Sequence, residues 1–600
     1  MRLTDATSVL AVAVVAVAAI FGGAFYPGPR MVVGLSFAAT LAAAVYWRRD
    51  RLRIEEWAVV VFLVWSVSAG ILARTAPLAV REVLTVWLAA FLLWMTTRRA
   101  NARSARMASQ ILVGAAVILV IGVALEAAGI GRMRVGGLLE NPNLTACLLV
   151  VSLCLLPLYG GHKRRWAIVV AAVLVAGVVL TGSRAGLLAL LGVVAVILPR
   201  GRARSYGLAV SAGIVAAVVA WRFLSQPDIL AWFRPAIWRA VLLVWAEHPV
   251  AGVGPGGLVD AAGAVRLLHA DHVGQHQFLI AYAESSPLAV LVQTGAVGFA
   301  AALAAALTWG WAARTRGAFE SILLRSALVA TSTMALFHDL ITADIVLWWW
   351  AAVIGLMEAP SLRINPVGSS RPEYWGARAV AALVVAYIML WGMVEPSWAR
   401  WLWRARPPDA AMVERSLRAE SWYEVPLQWR THDLLRRENW TWEAAGEAIA
   451  RSRRAVRVRP SSSSLWGDLG IVQARVAMDF GPWPDSIEGA RESFARSTEL
   501  EPHQPWHWLE WARLERSVGD LGTAVKLAHR AIEAEPHAVR VWLFIARLEL
   551  DREQAEAARL ALGRARDSAA LRVRPGLNSY EKELVSAPEW QFRELEEALQ

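Results

Sequence analysis

"LTGSRAGLLALLGVVAVIL", residues 180–198, places an arginine between two apolar runs, each nearly long enough to cross a bilayer. Arg184 is therefore either a charge held in hydrocarbon, which is costly, or the mark of a turn at a membrane surface. Composition favours a membrane setting: a chain of 600 residues that is 57% hydrophobic and only 18% charged has more apolar side chains than one soluble core can hide. Apolar runs recur at roughly 7–26, 31–46, 56–73, 79–97, 108–128, 142–159, 166–181, 185–198, 206–224, 287–310, 319–337, 341–358 and 377–395. Their lengths suit tilted or slightly short spanning helices. The expectation is an all-α polytopic transmembrane bundle of about thirteen spans over residues 1–396.

The links between runs alternate in charge. "WRRDRLR", "TTRRANARSAR", "GGHKRRW", "PRGRARS" and "WAARTRG" are basic, and the positive-inside rule makes them cytoplasmic. The amino terminus is then inside, while "GIGRMRVGGLLENPN", "TGSRAG" and a long loop at about 225–286 face outward. The net charge of +12 is read as topology signals rather than as a nucleic-acid surface, because many of the arginines fall in short links between apolar runs. An odd number of spans places everything after about residue 396 outside. On this topology "GSRAG" is an outer-surface turn, with Gly182 and Gly186 suiting a tight helix-to-helix connection. Arg184 there either anchors the next helix by snorkelling or meets a ligand. Cys147 and Cys154 lie about 10 Å apart along one apolar segment and cannot bond to each other.

After Pro396 the composition becomes mixed-charge with helical periodicity. Pro460, Pro502 and Pro536 each close a helical segment, and each is followed six residues later by a tryptophan, Trp466, Trp508 and Trp542. The last two prolines are 34 residues apart, the tetratricopeptide period; the first gap of 42 is assigned to an insertion at "DFGPWPDSIEG". Residues 397–600 are thus expected to form an extracytoplasmic α-solenoid, either a surface for a protein partner or a structural cap.

Four stretches carry a resemblance: "GGLLENPNLTACLLV", "LTGSRAGLLALL", "RPAIWRAVLLVWAEHPVAGVGPGGL" and "ESSPLAVLVQTGAVGFAAAL". In this order, over roughly residues 105–357, they are similar to the succession of motifs in the bacterial O-antigen ligase and polymerase family of membrane glycosyltransferases, some of which carry tetratricopeptide repeats at the carboxy terminus. The resemblance implies an all-α bundle and a metal-free, inverting transfer of a glycan. The donor would be an undecaprenyl-diphosphate-linked glycan and the acceptor a hydroxyl on lipid A core, glycan or protein, at the outer face of the inner membrane. No cofactor or metal is expected. The alternative is a non-catalytic membrane transporter or scaffold for envelope polysaccharide assembly.

A departing diphosphate gains negative charge, and an enzyme without a metal must meet it with fixed cations; arginine's planar fork suits phosphate oxygens. Arg184 matches the family's "SR" position, and Arg234 or the nearby Arg239 its arginine beside the tryptophan of "RPAIW". "EHPVAGVGPGGL" resembles a family turn whose glycines would let a loop fold back over the donor, with His248 structural. The family's basic histidine is replaced here: aligning "VQTGAVG" puts Glu284 in its place. A carboxylate can take the acceptor's proton if burial raises its pKa. His276 is the second candidate, followed by His269 and His272, and a glycan-binding loop without catalysis is also open. His338 and Asp339 of "FHDLITADIVLWWW" are expected at the outer end, as functional groups or as interhelical hydrogen-bonding partners. Asn141 of "NPN" reads as a helix cap, with a sugar contact as the alternative. No Walker loop, zinc-type Cys/His spacing or serine hydrolase elbow occurs in the sequence.

Overall fold

The computed structural model describes residues 3–23, 25–47, 52–130, 135–159, 164–197, 230–265, 280–314, 318–359, 375–404, 409–436, 440–481, 484–571 and 579–600, with isolated positions between 209 and 220. Among these residues every regular element is helical. The first part comprises α1 (Leu3–Ile20), α2 (Pro27–Tyr46), α3 (Ile54–Leu72), α4 (Pro77–Thr97), α5 (Ala102–Ile130), α6 (Pro142–Leu153), α7 (Arg164–Thr181), α8 (Arg184–Ile197), α9 (Leu230–Glu247), α10 (Ser286–Arg314), α11 (Ala318–Phe337), α12 (Asp344–Glu358), α13 (Trp375–Met389) and α14 (Glu395–Arg404).

Among the described residues six helices are long and apolar enough to cross a membrane: Pro27–Tyr46, Ile54–Leu72, Pro77–Thr97, Ala102–Gly129, Ser286–Trp311 and Trp375–Arg404. The expected thirteen spans are not confirmed. Most of the run at 206–224 lies outside the described residues, and several other runs form apolar helices of only 10–17 residues. The clearest case is α6, whose 12 residues extend about 18 Å against a hydrocarbon core of roughly 30 Å. All of residues 144–153 in α6 are buried, so its apolarity answers to protein packing rather than to lipid. An apolar run in sequence does not separate these two causes.

The core of the bundle is built on α4, α6 and α12. Trp348 and Trp349 of α12 are fully buried, and their indoles donate to the Val86 carbonyl of α4 (3.2 Å) and the Ser152 hydroxyl of α6 (3.1 Å). Outer helices leave large apolar side chains uncovered, among them Ile71 and Leu383, as lipid-facing surfaces do. The composition change at Pro396 falls inside one continuous helical rod: a π-turn at Leu390–Val394 joins α13 to α14 just ahead of the proline, whose ring an unbroken α-helix does not accommodate.

The repeats follow as α15 (Ala410–Ala419), α16 (Glu424–Leu435), α17 (Trp442–Val458), α18 (Ser463–Phe480), α19 (Pro484–Leu500), α20 (Pro505–Ser517), α21 (Leu521–Ala534), α22 (Val539–Asp551), α23 (Ala555–Ala569), α24 (Ser579–Leu584) and α25 (Glu589–Ala598). The proline–tryptophan spacing has a physical basis: each indole N–H donates to the carbonyl of the proline six residues earlier. The distances are 2.9 Å for Trp466 to Pro460, 2.8 Å for Trp508 to Pro502 and 2.9 Å for Trp542 to Pro536. Each bond pins the link between helix pairs against the helix that follows. The longer first repeat is taken up mainly by longer helices, α18 and α19 having 18 and 17 residues against 13 and 14 in α20 and α21.

Ion pairs fasten the repeats to one end of the bundle. Arg459 makes a forked contact to Asp260 (2.7 and 3.0 Å) and a third bond to Glu424 (2.8 Å). Arg400 of α14, the helix that leads into the repeats, grips Glu82 of α4 through both terminal guanidinium nitrogens, and Arg81 of α4 pairs with Glu420.

Candidate active site

At the end of the bundle that carries the repeats, the quoted motifs are brought together in two groups. The first joins "NPN" to "TGSR". Asn141 caps α6, its side-chain oxygen accepting from the Asn143 and Leu144 amides at 3.0 and 3.4 Å, which is the capping role read from sequence. Ser183 caps α8 by accepting from the Gly186 amide (3.2 Å) and donates to the Asn143 side chain (2.9 Å), so the starts of α6 and α8 adjoin. Arg184 is the first residue of α8. Gly192 of α8 packs on Val329 and Thr333 of the antiparallel α11. Eight residues, about 12 Å, along α8 from that crossing bring Arg184 level with the end of α11, where His338 follows.

The second group is Arg234, Glu284 and His338. The Arg234 guanidinium lies 3.5 Å from Glu284 Oε2, and His338 Nδ1 lies 4.0 Å from the same oxygen. Trp238, one turn along α9, donates its indole N–H to the Glu284 carbonyl (3.4 Å). Ser286, at the start of α10, fixes the opposite side: its amide and hydroxyl both donate to the His338 carbonyl (3.0 and 2.8 Å), and its oxygen accepts from the Leu340 amide (2.8 Å). The Glu284 backbone is held at φ 51°, a conformation uncommon for a non-glycine residue and typical of functional turns.

Two expectations about this group change. Glu284 is not buried; its side chain is 35% exposed, because its turn faces outward ahead of α10. The buried carboxyl is Asp339, in the turn between α11 and α12. Neither of its oxygens has a well-formed hydrogen bond. Burial pushes its pKa up to about 7, the Thr342 hydroxyl and Ala283 backbone partly opposing the shift and the charge of Glu284 adding to it. Arg239 is separate from the group: five residues beyond Arg234 it points to another face of α9 and is exposed. His276, with His269 and His272, lies outside the described residues.

The glycine turn packs into a break in α10. At Gly295 (φ 67°, ψ −175°) the helix α10 breaks, and the turn at residues 249–256 docks into the break. The Val253 amide donates to the Val292 carbonyl (2.8 Å), the Ala296 amide to the Pro249 carbonyl (2.8 Å) and the Gly256 amide to the Gln293 side chain (2.9 Å). A Cβ on Gly295 would stand 2.0 Å from the Val250 carbonyl oxygen and one on Gly252 2.5 Å from that of Val292. Backbone contact this close requires glycine at both positions. Of the expected 225–286 loop, residues 230–247 are helix α9, which presents Arg234.

Sequence reading missed Ser286 and Glu140. The helix-entry signal "SSP" pointed to the former. Glu140, adjoining "NPN", has φ 56° and accepts a 2.8 Å bond from the Tyr26 hydroxyl. Among the described residues no group of three or more His, Cys, Asp or Glu side chains is arranged to hold a metal ion.

Comparison with known proteins agrees with both halves of the chain. The O-antigen ligase family matches residues 168–303, a segment that includes Arg184, Arg234 and Glu284, and supports a membrane glycosyltransferase-like function in polysaccharide assembly. The tetratricopeptide repeat family matches residues 505–548, which are α20, α21 and most of α22. No curated protein matches the chain. Similar solved structures include MamA from Desulfovibrio magneticus (11% identity, 29% of this chain and 93% of that one, TM-score 0.24). Another is a thermophilic tetratricopeptide protein of Thermus thermophilus (16%, 32% and 88%, TM-score 0.25). A third is YrrB, described as a tetratricopeptide protein with an unusual peptide-binding site (18%, 29% and 80%, TM-score 0.22).

Proposed function

We propose that the protein transfers a glycan from an undecaprenyl-diphosphate carrier to a hydroxyl acceptor at the outer face of the inner membrane, with inversion at the anomeric carbon. The observation that carries this reading is the Glu284 carboxylate standing between Arg234 and His338, on segments drawn from three separate motifs. The acceptor O–H gives its proton to Glu284 as its oxygen attacks the anomeric carbon. The bond from that carbon to the diphosphate breaks on the opposite face, and its electron pair leaves with the diphosphate. Arg184 and Arg234, with the amino-terminal ends of α6 and α8, meet the negative charge that develops there. His338, 4.0 Å from the same Glu284 oxygen, carries the proton onward, and the turn bonded to Ser286 holds these groups in register.

Lipid A core, a growing glycan and a protein hydroxyl all satisfy this chemistry as acceptors. The repeats, lying on the same end of the bundle as the reacting groups, suit a protein partner or a long acceptor. The test is transfer by the purified full chain, supplied with undecaprenyl-diphosphate-linked glycan and host envelope lipid. Glu284→Gln should lower turnover by about a hundredfold or more while leaving the fold intact. Arg184→Ala should lower it as well; near-normal turnover in both variants contradicts the proposal.

A further inference from the structure

Away from the acidic centre, a cavity of about 670 Å³ runs between α3, α4 and α13 and ends against the repeats. Its walls are apolar, formed by Val64, Val67 and Ile71 of α3, Leu84 and Leu88 of α4 and Ile388 of α13. The three α3 side chains are exposed, at 62%, 44% and 72%, so the groove opens sideways toward lipid. Its upper end is different in character: Arg74 closes α3, and Arg457 and Trp422 descend from the repeats. An adjoining cavity shares Pro77, Trp422 and Arg457 and adds Arg454.

The charges at this end do not cancel. Arg81 is neutralised by Glu420 and Glu395. Arg74 and Arg457 are exposed, and among the described residues neither they nor Arg454 has a carboxylate partner, Arg454 donating only to the Ser421 carbonyl (3.2 Å). Arg74 also occupies a position that favours glycine. Its φ is 53°, its amide bonds the Ile71 carbonyl (3.1 Å), and the Thr75 amide bonds that of Gly70 (3.2 Å), the pattern in which helices usually end on glycine. An arginine kept there is aimed at the head of the groove by the backbone itself.

We infer that this groove binds one anionic glycerophospholipid from the leaflet on the repeat side, its phosphate among Arg74, Arg454 and Arg457 and an acyl chain along α3, α4 and α13. Length favours this occupant over a polyprenyl carrier: from Arg74 to Leu63 the groove descends about 16 Å, which is one leaflet of hydrocarbon and far shorter than a polyprenyl chain. Because the phosphate would bridge α3 to α17, the lipid would fasten the repeats to the membrane face. The inference requires the bundle to lie in a membrane and is independent of the reaction at Glu284.

The test uses the full-length protein in phosphatidylcholine nanodiscs titrated with phosphatidylglycerol, with retained lipid counted by native mass spectrometry after release. Wild type should retain phosphatidylglycerol over phosphatidylcholine by about tenfold or more, as two or three basic residues at a lipid headgroup give. Arg74→Gln with Arg457→Gln should bring the ratio near one while some lipid still binds. Val67→Trp fills the groove without changing charge and should reduce retention of both lipids. Glycerol phosphate, the headgroup without chains, should not displace the lipid. The inference is overturned by equal retention of the two lipids in wild type, by a preference that survives the double substitution, or by a Val67→Trp protein that retains lipid normally. Displacement by glycerol phosphate, or preferential retention of undecaprenyl diphosphate, overturns it too. All three substituted residues are exposed, and matching melting curves verify that the variants are folded.

Discussion

Two ionic clusters stand at opposite ends of the helix bundle and are built in opposite ways. At the end away from the repeats, the Arg98 guanidinium is only 1% exposed and contacts Glu55 (2.8 Å), Glu56 (3.1 Å) and Glu358 (3.0 Å), while Arg99 adds a 3.0 Å contact to Glu56. The Trp94 ring covers Arg98 at 4.6 Å, and the Trp309 indole donates to Glu358. These groups close α4 and α12, open α3 and reach α10, so four helices are tied at one buried point. At the other end, Arg234, Glu284 and His338 are spaced at 3.5 and 4.0 Å, Glu284 is partly exposed on a left-handed backbone, and buried Asp339 lacks a well-formed hydrogen bond. Buried carboxylates gathered on one covered guanidinium fix helices, whereas loosely spaced groups on a strained backbone rearrange around a substrate at little cost.

That contrast is broken most directly at Arg98. Arg98→Ala would leave three buried carboxylates facing one another, and the expected loss is about 3–5 kcal/mol, read as a large drop in melting temperature in detergent. Next comes the docked turn: Gly295→Ala forces a Cβ against the Val250 carbonyl on a backbone at φ 67° and should destabilise by about 1–3 kcal/mol in the same measurement. An Arg98→Ala protein that melts like wild type would show that the Arg98 cluster is no lock.

A pH slope sharpens the comparison. Asp339 titrates near 3.8 when unfolded and at about 7 when folded, so between these values the folded chain binds more protons than the unfolded chain. Its contribution to stability is therefore greatest below pH 4 and is lost as pH rises to about 7. Asp339→Asn should remove this component from the melting temperature measured across pH 5–8; a variant whose pH dependence equals that of wild type contradicts the burial assigned to Asp339. The smallest effect belongs to Arg239→Ala, an exposed change on another face of α9, expected within about 0.5 kcal/mol in stability and without effect on transfer.

Much of this was legible in the sequence where the cause is local. Helical periodicity gave the elements, Asn141 before Pro142 gave a cap, and the six-residue proline–tryptophan spacing gave the repeats because one hydrogen bond enforces it. What escaped depends on contacts distant along the chain. Thirteen spans are not confirmed among the described residues, and α6 shows how an apolar run can answer to protein neighbours instead. The glycines at 252 and 295 were legible as glycines, but not as partners that close a turn into a broken helix. Glu284 and Asp339 were both visible as acids, yet which of them is buried depends on how α10 meets the turn after α11.

The most direct test measures two quantities on two proteins: melting temperature and glycan transfer for Glu284→Gln and for Arg98→Ala. The two variants should cross. Glu284→Gln should melt like wild type and lose about a hundredfold or more in turnover, whereas Arg98→Ala should melt far lower and transfer glycan normally at temperatures where it remains folded. A Glu284→Gln protein that is folded and turns over at the wild-type rate would contradict the assignment of the Arg234–Glu284–His338 cluster as the reacting centre.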